Sequence, residues 1–84
     1  MNIRLERIAK KRLDRLNEPL KTHLLVAIKG LAKDPPEGDI KRMHRGPAGY
    51  RLRWGDYRIF FDRLENVVSV TEIATRGHAY KKRR

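Results

Sequence analysis

The sequence has no cysteine and no long apolar run. Without cysteine, the chain cannot form disulfides, use a thiolate nucleophile or bind zinc through sulfur. No apolar stretch approaches the roughly 18 residues that a membrane span requires. The N-terminus is charged from Arg4 onward and lacks the apolar core of a signal peptide. These absences predict a soluble, cytoplasmic protein that does not contact a membrane.

Acidic residues are scarce relative to basic ones. The 84 residues include 21 Lys and Arg against 10 Asp and Glu, a formal net charge of +11 at pH 7. Such an excess attracts polyanions, with nucleic acid as the first candidate and membrane surfaces or acidic proteins as competitors. The length predicts a single domain over residues 1–84. Its core would be thin, so a binding partner could add much to its stability.

Apolar residues in the first half of the chain recur at helical spacing. After a possible short strand at residues 2–5, this spacing predicts a helix from about Arg4 or Glu6 to Leu16. A second helix is predicted to begin at Pro19 and to end at the Asp-Pro-Pro sequence that follows. We expect the two helices to form an antiparallel hairpin with one apolar side.

The second half of the chain has the period of β-strands. Residues 35–49 are expected to form a loop, because glycine and proline recur there. Alternation then predicts two strands joined by the two-residue turn Gly55-Asp56, and a third strand at residues 67–74. The predicted fold is α+β, with an N-terminal helical hairpin packed on a small antiparallel β-sheet.

The two-residue turn sets the register of the predicted hairpin. The expected pairs are Trp54 with Tyr57, Arg53 with Arg58, and Leu52 with Ile59. Because side chains alternate between faces, Arg51, Arg53 and Arg58 share one face and the apolar residues share the other. Directly opposed like charges destabilise a sheet by roughly 0.2–1 kcal/mol. Surface strands do carry arginine for solubility, but three on one face favour an anion site, with a phosphodiester as the natural ligand.

Two stretches, YRLRWGDYRIFF at residues 50–61 and RGHAY at residues 76–80, carry a resemblance to a known family. With the preceding helices they resemble the RelE/ParE superfamily of type II toxin–antitoxin toxins, over nearly the whole chain. The resemblance implies a RelE-like mRNA interferase, an endoribonuclease that cuts messenger RNA on the ribosome and is inhibited by an acidic antitoxin protein. The implied reaction is attack of a ribose 2′-hydroxyl on the neighbouring phosphorus.

The resemblance also implies which residues are catalytic. Those that match the family's positions are Arg51, Arg53, Arg58, Arg76 and Tyr80. The family pattern has lysine at the first two positions, where a lysine is assigned the role of general base. Because arginine is effectively never deprotonated, Arg51 and Arg53 can bind phosphate but are poor bases. His78 is then a candidate for proton transfer together with Tyr80, although it could equally be an ordinary loop residue.

Further basic residues could bind the RNA backbone without sequence preference. The candidates are Lys41, Arg42, Arg45, Lys81 and Lys82. Two alternatives to the nuclease stay open. One is a ParE-like inhibitor of DNA gyrase with the same fold, and the other is a catalytically weak RNA-binding relative. No motif in the sequence indicates a metal or another cofactor.

Overall fold

The computed structural model describes residues 1–75, which form one sheet and two helices. In chain order the elements are β1 (Asn2–Leu5), α1 (Arg7–Asp14), α2 (Leu20–Lys29), a 3-10 turn (Gly30–Ala32), β2 (Asp39–Arg42), β3 (Tyr50–Trp54), β4 (Tyr57–Leu64) and β5 (Val67–Thr75). The strands lie in the order β1-β5-β4-β3-β2. β1 runs parallel to β5, and the other neighbouring strands are antiparallel. The sheet is therefore mixed, and β1 and β2 form its edges.

The predicted helical hairpin on a small antiparallel sheet is wrong in two respects. The sheet is larger and mixed, because β1 enters it beside β5, with Asn2 opposite Val67. The helices do not form a closely packed pair. α1 lies against β5, whereas α2 continues into the 3-10 turn, and close approaches between the two helix backbones are few. Periodicity reports only local conformation, so it could not reveal a pairing between the two ends of the described chain.

Both helices are shorter than predicted, and they bury most but not all of their apolar stripes, since Ile8 on α1 is 65% exposed. α1 ends at Asp14, and α2 gives way to the 3-10 turn at Gly30. The buried residues of the two helices are Ala9, Leu13, Leu24 and Ile28. Within residues 1–75, the structure has no helix long and apolar enough to cross a membrane.

The segment predicted as a loop contains an additional strand, β2. Its four residues pair with β3, with Ile40 opposite Leu52. Ile40 is the only apolar residue of β2, so the strand has no visible alternation in the sequence. Gly38, just before it, has a φ of 121°, and a Cβ there would overlap the Leu52 side chain. The missing side chain lets the backbone approach β3 closely enough to pair.

The register predicted for the hairpin of β3 and β4 is confirmed. Trp54 lies opposite Tyr57, Arg53 opposite Arg58 and Leu52 opposite Ile59. Gly55 in the turn has a φ of 60°, as a two-residue hairpin turn requires. Leu52, Ile59 and Phe61 are fully buried and form one core with the apolar residues of both helices. The opposite face of the hairpin carries Arg51, Arg53 and Arg58 together with the buried Phe60.

Candidate anion-binding site

Arg51, Arg53 and Arg58 lie on the face of the sheet opposite the helices, and we name this group the arginine face. Arg53 and Arg58 are directly opposed on β3 and β4, a position in which Cβ atoms are typically about 4.5–5.5 Å apart. Arg51 lies two residues earlier on β3, opposite Phe60. The structure therefore brings these three predicted site residues together on one face.

Asp39 on β2 offsets part of this charge. It lies opposite Arg53, and its carboxylate oxygens are 3.9 Å from Nη2 of Arg51 and 3.6 Å from Nε of Arg53. One carboxylate facing two guanidinium groups leaves the cluster with a net positive charge. Asp39 was missed in the sequence because it belongs to the predicted loop, and only the pairing of β2 with β3 brings it to the arginines.

The guanidinium group of Arg51 is largely buried, and this burial lowers the stability of the fold. Only 11% of its side chain is exposed, and its buried Nε has no hydrogen-bond partner within residues 1–75. An unsatisfied buried donor costs about 1–3 kcal/mol. Stability alone would therefore be better served by an apolar residue at this position.

A cleft of about 250 Å³ opens beside the turn between β3 and β4. It is lined by Arg53, Gly55, Asp56, Tyr57 and Arg58. The two arginines can form charge-assisted hydrogen bonds to an anionic oxygen in this cleft. Neither can act as a general base, because arginine keeps its proton. The cleft can thus bind an anion and stabilise developing negative charge, but proton transfer needs other groups.

Among the other predicted site residues within residues 1–75, Lys41 shares the face of the arginines because it pairs with Arg51, whereas Arg42 pairs with Tyr50 on the helix side. Lys41 and Arg42 lie on the edge strand β2, and Arg45 lies in the loop that follows it; all three are exposed. Lys41 is opposite Arg51 across the strands. The remaining candidates lie outside the described residues, so their roles stay predictions: Arg76, His78, Tyr80, Lys81 and Lys82.

A second polar cluster on this face was missed by the sequence analysis. The hydroxyl of Ser69 on β5 donates a hydrogen bond of 2.6 Å to the carboxylate of Glu6, and Nη2 of Arg4 lies 3.0 Å from the same oxygen. The Ser69 hydrogen bond, and after it the contact with Arg4, hold the pKa of Glu6 below its usual value. In the sequence, the one indication of this cluster is a single serine within the otherwise apolar residues 67–70. This cluster links β1 to β5.

Solved structures of toxin–antitoxin complexes share this fold. No known protein family model matches the chain, and no curated protein matches it. The toxin–antitoxin complex RelBE2 of Mycobacterium tuberculosis matches with 18% sequence identity and a TM-score of 0.73, covering 89% of this chain and 96% of that chain. The RelB–RelE antitoxin–toxin complex of Methanococcus jannaschii matches with 17% identity and a TM-score of 0.73, covering 94% of this chain and 96% of that chain.

At these identities the likeness shows the fold alone. Both structures are complexes that contain an antitoxin as well as a toxin, so likeness to them does not make this chain a toxin. The assignment to the RelE/ParE toxin superfamily, as a RelE-like mRNA interferase, is corrected accordingly. The similarity shows that this chain has a fold that occurs in RelB–RelE complexes. It does not show that the chain belongs to the toxin family.

Proposed function

We propose that this chain is one component of a toxin–antitoxin pair and acts by binding the other component, a protein with an acidic surface. The observation that carries this proposal is the shared fold. The chain aligns with 96% of the matched chain in each of two neighbours, and both neighbours are complexes of two different proteins. The two neighbours come from different organisms, and the TM-score is 0.73 in both cases.

Charge supports an acidic partner. The chain carries a net +11, and the exposed Lys41, Arg42 and Arg45 form no ion pair within residues 1–75. Complementary charge speeds diffusional encounter and disfavours partners of the wrong sign. A partner that binds only the folded state would also stabilise this small domain by mass action.

Co-expression with the adjacent open reading frame tests the proposal. We expect the tagged chain to retain the neighbouring gene product in a fixed ratio at physiological salt, while an unrelated protein of similar size and charge does not retain it. Expression of each gene alone and of both together then assigns the two roles from their effects on growth. If no protein co-purifies and no combination changes growth, the proposal is wrong.

RNA cleavage at the arginine face is a second candidate, favoured by the cleft between Arg53 and Arg58. A ribose 2′-hydroxyl would lose its proton and attack the adjacent phosphorus, and the bond to the 5′-oxygen would break as that oxygen gains a proton. The guanidinium groups would stabilise charge on the phosphate oxygens. Because arginine is a poor base, His78 and Tyr80 are the candidates for the proton transfers. The substrate would be messenger RNA, bound free or on the ribosome.

Mapping of RNA 5′ ends tests this second candidate. The purified chain should generate new ends, with or without ribosomes, and Arg58→Ala or Arg76→Ala should reduce the rate about 100-fold or more. Lys29→Ala, which removes an exposed cation from α2, should retain the rate of the unmodified chain. New ends that form equally fast in Arg58→Ala would exclude the arginine face as the site. Inhibition of gyrase supercoiling without new RNA ends would instead favour the gyrase alternative.

A further inference from the structure

One hydrogen-bonding edge of β2 faces no strand within residues 1–75. β2 lies at the edge of the sheet and pairs with β3 on its other side. Beyond the strand, the N–H of Met43 donates to the carbonyl of Gly49 at 2.7 Å, in continuation of the same register. In an antiparallel pair, alternate residues exchange both backbone hydrogen bonds with the partner strand. The Met43–Gly49 bond therefore identifies which residues of β2 bond to β3.

By this alternation, Asp39 and Lys41 direct their backbone groups toward β3. Ile40 and Arg42 direct theirs away from it, toward the open edge. The edge thus offers two N–H donors and two C=O acceptors at the spacing of a β-strand. Such unpaired groups are a template for addition of another strand.

The cations along this edge are not balanced by the carboxylates near it. Lys41, Arg42 and Arg45 are exposed and form no ion pair within residues 1–75. The carboxylate of Glu37 lies 3.2 Å from Nζ of Lys33, and that of Asp39 faces the arginine face. The nearby acidic groups are therefore engaged elsewhere, and the edge presents net positive charge.

An apolar cleft of about 310 Å³ lies at the start of β2. Its apolar lining includes Val26, Leu52 and Trp54, and the charged Glu37, Asp39 and Arg53 lie at its border. Val26 is 63% exposed although it is aliphatic. A strand added along β2 would place alternate side chains on the helix side of the sheet. One of those side chains could enter the cleft.

We propose that the partner places an extended acidic segment along the open edge of β2 as an additional strand, with one apolar side chain in the cleft beside Val26 and Trp54. This inference rests on the proposed function and names the surface that performs it. Backbone hydrogen bonds would supply affinity, while the cleft and the cations would select the segment. A second copy of this chain fits less well, because two β2 edges would bring like charges together. An RNA strand has no peptide backbone to pair with the edge.

Amide hydrogen exchange, measured by NMR on the complex obtained by co-expression, tests the location. In the free chain the amides of Ile40 and Arg42 should exchange fast, while that of Lys41 is protected by β3. In the complex the exchange of Ile40 and Arg42 should slow about tenfold or more, and Lys41 should change little. Trp54 is the only tryptophan, so its fluorescence should also change when the cleft is filled.

Two matched pairs of variants test the contacts. Arg42→Pro removes an edge N–H without removing a bond to β3, whereas Arg42→Ala removes only the side chain. We expect Arg42→Pro to bind the partner about tenfold or more weakly than Arg42→Ala. Val26→Asp should weaken binding similarly. Ile8→Asp on α1 should not, although Ile8 is equally exposed at 65% and the charge change is the same.

The outcomes separate the two proposals. Slowed exchange at Ile40 and Arg42, with weaker binding by Arg42→Pro and Val26→Asp, supports the edge. A stable complex without these effects overturns the edge and leaves the proposed function standing. If the unmodified chain forms no complex, both fail. Protection of the same amides by a second copy of the chain, or by oligouridylate RNA and not by the partner, also overturns the inference.

Discussion

On the helix-covered face of the sheet, Leu52, Ile59 and Phe61 are fully buried, whereas on the opposite face 60% of the Arg53 side chain is exposed. Both sets lie on the same two strands, so the difference arises from what covers each face. Burial of each large apolar side chain contributes roughly 1.5–3 kcal/mol. The opposed arginines on the other face instead cost stability.

This contrast indicates where stability and binding reside. The covered face holds the fold together, and its residues can be replaced only at a large cost. The arginine face and the edge of β2 contribute little to stability and carry surplus positive charge. Four substitutions, described from the largest expected effect to the smallest, test this separation.

Phe61→Ala should cause the largest loss, because Phe61 is fully buried and stacks on Tyr50 with 5.5 Å between ring centroids. We expect the free energy of unfolding to fall by about 3–5 kcal/mol, a large part of the total for a small domain. Urea denaturation followed by circular dichroism measures it. Leu64→Ala, on the same strand but 54% exposed, should change the value by less than about 0.5 kcal/mol. Equal losses in the two variants would contradict the division of the faces.

Gly38→Ala should have the next largest effect. The added Cβ would be strained at a φ of 121° and would overlap the side chain of Leu52. We therefore expect the free energy of unfolding to fall by about 2 kcal/mol or more. Gly46→Ala is the control, because its φ is 115° but no atom lies within 4 Å of the added Cβ. The difference in unfolding free energy between the two variants measures the close approach of β2 to β3. No difference would mean that this approach is not required.

Arg51→Met should leave stability within about 1 kcal/mol of the unmodified chain or raise it, because a buried and incompletely bonded cation is replaced by an apolar side chain of similar length. Binding to oligouridylate should weaken, with the slope of log affinity against log salt falling by about one. Fluorescence anisotropy at several salt concentrations measures the slope. Lys29→Met on α2 should leave the slope nearly unchanged. A marked loss of stability in Arg51→Met would show that the arginine face is structural.

Ser69→Ala should have the smallest effect, and one that depends on pH. The hydrogen bond from Ser69 holds the pKa of Glu6 below its usual 4.5. The stabilisation linked to this shift is present above pH 4.5 and is lost as the pH falls through the lower pKa of the folded state. The variant should therefore be less stable than the unmodified chain at neutral pH. The difference in unfolding free energy between the two should become smaller as the pH falls.

Thr71→Val is the matched control for this pH dependence. The Thr71 hydroxyl donates to the carbonyl of Phe60 at 3.1 Å, a group that does not titrate. Its deficit in unfolding free energy should stay constant between pH 7 and pH 3. A deficit of Ser69→Ala that is equally constant would contradict the role assigned to Glu6.

The sequence by itself determined the hairpin of β3 and β4. A two-residue turn permits one register, and alternation then assigns every side chain to a face. Arg51, Arg53 and Arg58 were grouped correctly for this reason, since their relation depends on only a few neighbouring residues. The positions of the helices were also visible in the periodicity, although their ends were not.

Only the tertiary structure decided which strands lie at the edges and which carboxylates meet the arginines. The pairing of β1 with β5 joins Arg4 to Ser69, and β2 brings Asp39 to Arg51. β2 has no apolar alternation, and the alternation of Ile3 and Leu5 in β1 does not indicate which strand it pairs with. Such pairings depend on the free energy of the whole fold, since contacts between distant residues form only when the intervening chain is already ordered. The open edge of β2 arises in the same way and could not be read from residues 39–42 alone.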